Sequence, residues 1–109
     1  MRRGAVYYNG IIAGVITEEH PTNYTFQYDK DYLLNQDCPS ISLTLPKRDD
    51  PYQADHLFPF FFNMLSEGEN KKLQCRRWKI DEDDHFGLLL KTAQTDTIGP
   101  ITIKQINET

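Results

Sequence analysis

Leu57-Phe58-Pro59-Phe60-Phe61-Phe62-Asn63-Met64-Leu65 is where this chain changes its period, and that change decides the fold class. Leu57, Phe60, Phe61, Met64 and Leu65 recur at i, i+3, i+4, i+7 and i+8, the spacing of one apolar helix face. Pro59 falls in the first turn, where a missing N–H costs little. Upstream of this stretch the period is two. Val6-Tyr7-Tyr8 and Ile11-Ile12-Ala13-Gly14-Val15-Ile16 flank Asn9-Gly10, the strongest short hairpin signal, because both central residues of a type I′ turn need positive φ. Gly14 inside the second run marks either a bulge or the close approach of another backbone. After a turn at His20-Pro21-Thr22-Asn23, Tyr24, Phe26 and Tyr28 alternate with Thr25 and Gln27, as in a half-buried strand. Tyr32-Leu33-Leu34 gives the polar segment 29–37 a short helical turn. Ile41-Ser42-Leu43-Thr44-Leu45 alternates again and predicts a strand closed by Pro46, which cannot donate to a ladder. Residues 47–53 are charged, contain Pro51 and are expected to form a loop.

Downstream of the switch the chain stays helical. Ser66-Glu67-Gly68 is expected to end the first helix, with Gly68 as a left-handed cap. A second helix from Glu69 to about Trp78 is expected to bury Leu73 and part of Trp78. A third, with Asp81 as N-cap and acidic residues suiting the helix dipole, would bury Phe86, Leu89 and Leu90. A turn over 95–99 leads to a last strand over 100–104. Strands, then helices, then a closing strand indicate an α+β fold, with a small, curved, mainly antiparallel sheet and about three helices packed on one side.

The 109 residues fit one domain with one core, spanning 1–109. Hydrophobic residues make up 39% and charged residues 26%, which argues against wholesale disorder. No run approaches the roughly 20 apolar residues that a membrane helix requires. The N-terminus MRRGAVYYNGIIAGVITEEH carries two tyrosines and an Asn-Gly turn where a signal peptide needs an apolar stretch, so a cytoplasmic protein is expected. Met1 and the polar ending Asn107-Glu108-Thr109 are those expected of an intact gene product. A formal charge of −4 argues against a DNA-coating surface. The mixture KKLQCRRWK, with Lys71, Lys72, Arg76, Arg77 and Lys79, is diluted by neighbouring acids, and no direct nucleic-acid contact is expected. Cys38 and Cys75 lack CxxC spacing and are expected to be reduced packing residues.

Motifs for chemistry are missing from the sequence. His20, His56 and His85 form no HxH, HxxxH or Cys-His pair of the kind a zinc site uses. The run Asp81-Glu82-Asp83-Asp84 lacks the alternating ligands, central glycine and distal glutamate of a calcium loop, and suits a solvated helix start instead. There is no Walker A sequence, GxGxxG loop or GxSxG elbow. No catalytic residue, metal site or cofactor is therefore expected, and the chain reads as a binding protein rather than an enzyme. Of the four clustered phenylalanines, Phe60 and Phe61 belong to the core stripe. Phe58 and Phe62 lie on an adjoining stripe that is either covered by a loop or open to a partner. Trp78, between Arg77 and Lys79, is either a core-edge residue or an interface anchor.

Four stretches, in order, resemble the N-terminal subdomain of the HipA-type toxin kinases. TFQYDKDYL is similar to the family's aromatic-x-Tyr strand with a following Tyr-Leu, and ISLTLPKRDDPY to its Ser-Leu-x-Leu-Pro segment and trailing Tyr. FFFNMLSEGENKKL resembles Phe-Phe-x-Asn-Leu-Leu-Pro-Glu-Gly leading into a helix. DDHFGLLLKTAQTDTIGPITI resembles an Asp-x-Phe-x-Leu-Leu helix and the entry to a strand. Ser66 replaces the usual proline, Gln94 stands where glycine is common, and Pro100 where alanine is usual. The resemblance implies a non-catalytic module that partners a HipA/HipT-family serine/threonine kinase, in a complex that can include a HipB-like helix-turn-helix protein. It is similar in size and motifs to the stand-alone, HipS-like members, which act as antitoxins. The contact surface it suggests is Phe62, Met64, Ser66, Glu67, Gly68 and Glu69, with Trp78. The alternative is a structural subunit that completes or activates a split kinase.

Overall fold

The computed structural model describes residues 1–65, 68–93 and 99–106. Two long strands open the chain, β1 (Arg2–Tyr8) and β2 (Ile11–His20), joined by the Asn9-Gly10 turn with φ of 49° and 81°. Both angles are positive, as the type I′ reading required. Strand β3 (Asn23–Tyr28) follows, then α1 (Lys30–Leu34), the three-residue β4 (Tyr52–Ala54), α2 (Pro59–Phe62), α3 (Gly68–Trp78), α4 (His85–Thr92) and β5 (Ile101–Ile106). The strands form one antiparallel sheet in the order β4-β3-β2-β1-β5. The described residues thus form an α+β fold with four helices, the expected three and, as α1, the short helical turn read at Tyr32-Leu33-Leu34; α2 is a single turn.

One face of the sheet makes the core. Val6, Ile16, Phe26 and Ile103 are fully buried there, with Phe61 of α2 and Phe86 and Leu89 of α4 packed in the same cluster. The other face carries Arg3, Val15, Thr17, Thr25 and Gln27 and stays open. Helix α4 is buried from Phe86 through Leu90, as befits a helix that is apolar nearly all round. At its far end Ala93 O accepts the amide of Ile103, at 2.9 Å, so the middle of the β5 edge is already hydrogen-bonded.

Gly14 answers both sequence readings. The β1–β2 register shifts between Val6↔Gly14 and Tyr7↔Ile12, which leaves Ala13 as the extra, bulged residue beside it. A Cβ on Gly14 would lie 2.4 Å from the carbonyl oxygen of Gln27 and 2.9 Å from the Phe26 ring. Backbone cannot yield as a side chain can, so Gly14→Ala is expected to cost about 2 kcal/mol through strand displacement. A urea midpoint equal to that of the unsubstituted protein would show that β3 can move aside.

Several expectations need correction. Residues 41–45 do not form a strand; Ser42 and Leu45 make an isolated bridge that closes a tight turn. Ser42 O accepts the Leu45 amide at 3.1 Å, and Ser42 Oγ accepts the Thr44 amide at 3.2 Å. The Tyr28 hydroxyl reaches both Leu45 O and the Ile41 amide, and these bonds replace a ladder. Ile41 and Leu45 are buried while Leu43, at the tip, is 100% exposed. The alternation was real, but it came from a turn whose two feet face inward. The expected loop over 47–53 runs into β4 at Tyr52. The third helix is capped by Asp84, whose carboxylate accepts the Gly87 amide, rather than by Asp81. Asp81 instead accepts the Asp83 amide in the preceding turn. Helix α3 buries Cys75, not Leu73, which is 59% exposed; Trp78, 43% exposed, is partly buried as expected. Gly68 has the expected positive φ, 63°, but stands at the start of α3. Cys38 and Cys75 are both free and buried. The expected turn over 95–99 falls on 94–98 outside the described residues, apart from Gly99.

Candidate functional site

Phe58 and Phe62 part company because α2 is one turn long. Pro59 at its start fixes φ without losing a helical bond, and Phe61 points into the core against Phe26 and Phe60, at centroid distances of 5.6 and 5.1 Å. Phe58 is carried to the inside as well. Phe62 is left 42% exposed, its ring edge-on to His85 at 4.9 Å. Between Phe62 and the start of α4 lies a notch of about 550 Å³, whose walls include Tyr24, Leu57, Pro59 and Asn63.

The floor of this notch is an ionic tie between sheet and helix. Arg2 and Glu18 face each other across β1 and β2, and the Arg2 Nη2–Glu18 Oε1 distance is 2.6 Å. The same guanidinium donates two parallel bonds to Asp84, Nη1 to Oδ2 at 2.9 Å and Nη2 to Oδ1 at 2.8 Å. The Tyr24 hydroxyl donates to Glu18 Oε2 at 2.8 Å. Hydrogen bonding to Arg2 holds the Asp84 carboxyl below the usual range, against the opposing effect of burial. The Arg2 guanidinium is in turn held more firmly protonated, chiefly by its bonds to Asp84. Burial, and then the bond to Glu18, push the Tyr24 hydroxyl up to about 12. At neutral pH Arg2, Tyr24 and Asp84 therefore stay in one ionisation state. They are suited to fixing β1 and β2 against α4, not to moving a proton. Among the described residues no group of three or more His, Cys, Asp or Glu is placed to hold a metal ion.

The expected contact residues are spread along the helical layer. Phe62 lines the notch, Met64 is half-buried just beyond α2, and Gly68 and Glu69 are exposed at the start of α3. Ser66 and Glu67 lie outside the described residues. Trp78 is at the other end of α3, which at 11 residues runs roughly 16 Å. Its ring sits under cations, with Arg77 at 5.4 Å and Lys91 at 5.9 Å. His85 meets Phe62 and Lys91 meets Trp78, so the two exposed aromatics mark opposite ends of α4. Between them α3 presents Lys72, Arg76 and Arg77, with Leu73 in their midst. The surface is apolar at Phe62 and Trp78 and basic between them.

Arg2 and Glu18 were not singled out from sequence, and Tyr24 and Asp84 were read only as a strand residue and as part of an acidic helix start. The first two are 16 residues apart and Arg2 lies 82 residues from Asp84. An uninterrupted hairpin register would have missed even the first pair, because the bulge at Ala13 shifts it by one residue.

The family of the HipA N-terminal domain matches residues 4–104. An uncharacterised protein of Haemophilus influenzae is 32% identical over 105 residues, which cover 96% of this chain and 93% of that protein. A putative kinase, Y4mE, of Sinorhizobium fredii is 26% identical over 84 residues, 77% of this chain but 20% of the relative. A solved structure described as the N-terminal domain of HipA toxin is similar over 100% of this chain and 96% of its own, with a TM-score of 0.73 and 26% identity.

Proposed function

This chain belongs to the HipA N-terminal domain family, and from that premise we propose that it is a HipS-like antitoxin, a cytoplasmic, non-catalytic single-domain protein that binds and inhibits a cognate HipA/HipT-family serine/threonine kinase. The observation that carries this reading is the length of its relatives. A domain that makes up a fifth of the putative kinase Y4mE also makes up nearly all of the Haemophilus influenzae protein. A module with that distribution is suited to act on a kinase from outside as well as from within. The exposed anchors Phe62 and Trp78, on a helical layer tied rigidly to the sheet, supply a preorganised surface for such an encounter. Inhibition needs no chemistry from this chain. A higher affinity for the inactive than for the active kinase conformation is enough to shift the population. A HipB-like helix-turn-helix protein would join through the kinase.

The match to a putative kinase also supports the second reading, in which the chain completes or activates a split enzyme. Toxicity separates the two. Co-expression with the cognate kinase is expected to relieve growth arrest, and the purified pair to co-elute on a sizing column at micromolar concentration. Arrest that appears only when this chain is present would establish the completing role, and separate elution would remove both readings.

A further inference from the structure

We propose that the notch beside Phe62 receives a lysine or arginine side chain of the kinase, gripped by Asp83 at its rim; this rests on the kinase-binding reading above. The shape fits a long basic side chain. The notch, about 550 Å³, is walled by Phe62, Tyr24, Leu57 and Pro59, and such apolar walls suit the methylene stem that lysine and arginine bury while their charged head stays wet. The charge fits as well. Three carboxylates line the space, those of Glu18, Asp83 and Asp84, against the single guanidinium of Arg2. Arg2 is committed to Glu18 and Asp84, and the Glu18 carboxylate also takes the Tyr24 hydroxyl. Asp83 is exposed, and among the described residues its side chain makes no hydrogen bond or ion pair. A cation entering the notch therefore meets an uncompensated carboxylate over aromatic walls.

The position of the notch says why the cation should belong to the kinase. Strand β5 runs so that Ile106, at its end, pairs with Arg3, next to Arg2 on the notch floor. Adjacent strands are about 5 Å apart. The family match ends within β5, at residue 104, so in a protein where more chain follows this N-terminal domain, that chain starts from this strand. The rest of such a protein thus begins beside the notch, and a separate kinase docking in the same arrangement would face it. Phe62, already on the expected contact surface, forms its wall.

The test uses the full chain and its cognate kinase, with Kd measured by titration calorimetry. Asp83→Lys is expected to weaken binding at least about tenfold, and Asp83→Asn about threefold, with the loss shrinking as salt is raised. Asp37→Lys makes the same change in net charge beyond α1, at the other end of the sheet, and is expected to leave Kd unchanged. Because the Asp83 side chain supports no bond among the described residues, thermal unfolding of Asp83→Lys should match the unsubstituted protein; Asp83→Asn decides the matter if it does not. Unaltered affinity in the Asp83 variants, or an equal loss in Asp37→Lys, overturns the proposal while leaving kinase binding intact. An unsubstituted chain that fails to bind the kinase overturns the parent reading, and this one with it.

Discussion

Replacing Phe61 by alanine should remove about 4 kcal/mol of folding stability, close to the upper end for a buried aromatic. Phe61 has no exposed surface, and its ring meets those of Phe26, Phe58 and Phe60 at 5.6, 6.3 and 5.1 Å. Each such pair contributes about 0.5–1.5 kcal/mol beyond simple burial. Helix α2 cannot compensate. It is four residues long, lacks a side-chain cap, and is far shorter than a helix that holds its own shape in water. Phe61 is the pin that fastens it, so the loss should extend to function: Phe62, one residue on, would no longer be presented at the notch. Urea unfolding measures the first effect and kinase affinity the second. Phe62→Ala is the matched control. With 42% of its surface already in water, Phe62 should cost under about 1 kcal/mol in stability while still weakening kinase binding. Equal unfolding midpoints for the two variants would mean that α2 is not held through Phe61.

The second large effect is expected from Arg2→Met, at about 3 kcal/mol. Methionine keeps an unbranched stem near Phe86, whose ring centroid lies 5.4 Å from the guanidinium carbon, but removes the charge. Glu18, 9% exposed, is then left with the Tyr24 hydroxyl alone, and an unpaired buried carboxylate is the costly part. Asp84 and Arg2 each keep about a third of their side chain in water, so the loss of their pairing adds less. The pH dependence follows from Asp84. Its carboxyl titrates lower in the folded protein than in the unfolded chain, where it lies near pH 4. Its contribution is therefore complete above that value and disappears as the pH falls through the lower, folded one. Without Arg2 most of that difference goes, so stability should decline less steeply on acidification below about pH 4. Urea midpoints at neutral pH and in this acid range give the comparison. Parallel curves for the two proteins would refute the assigned role of Arg2.

What could be read from the sequence was local. Asn9-Gly10 placed the first hairpin, the Tyr24-Phe26-Tyr28 alternation placed β3, and the Phe86-Leu89-Leu90 spacing placed α4. Each rests on contacts within a few residues. The 41–45 turn deceived because burial with period two arises either from a strand or from a turn with both feet inward. What separates them is the hydroxyl of Tyr28, 17 residues from Leu45. Leu73 was assigned to the core on apolarity alone, whereas the residue that α3 buries is Cys75. The notch was illegible for a sharper reason. Counted outward from Asn9-Gly10 without interruption, Arg2 would face Thr17. The bulge at Ala13 moves the register by one and brings it to Glu18. One extra residue thus decides whether the guanidinium has a carboxylate to hold, and nothing beyond Gly14 hinted at it. Of the expected contact surface, the exposure of Phe62 and Trp78 could be weighed in the sequence, and their place at opposite ends of α4 could not.

The bond from Ile103 to Ala93 bears on how the protein behaves in crowded solution. An outermost strand with a free row of amides is a template on which further copies stack. Here the flank at β5 has its central rung occupied by the molecule's own helix, and the opposite flank at β4 offers a foothold of three residues. Neither border gives a visiting strand a continuous track, so edge-to-edge stacking of copies is disfavoured.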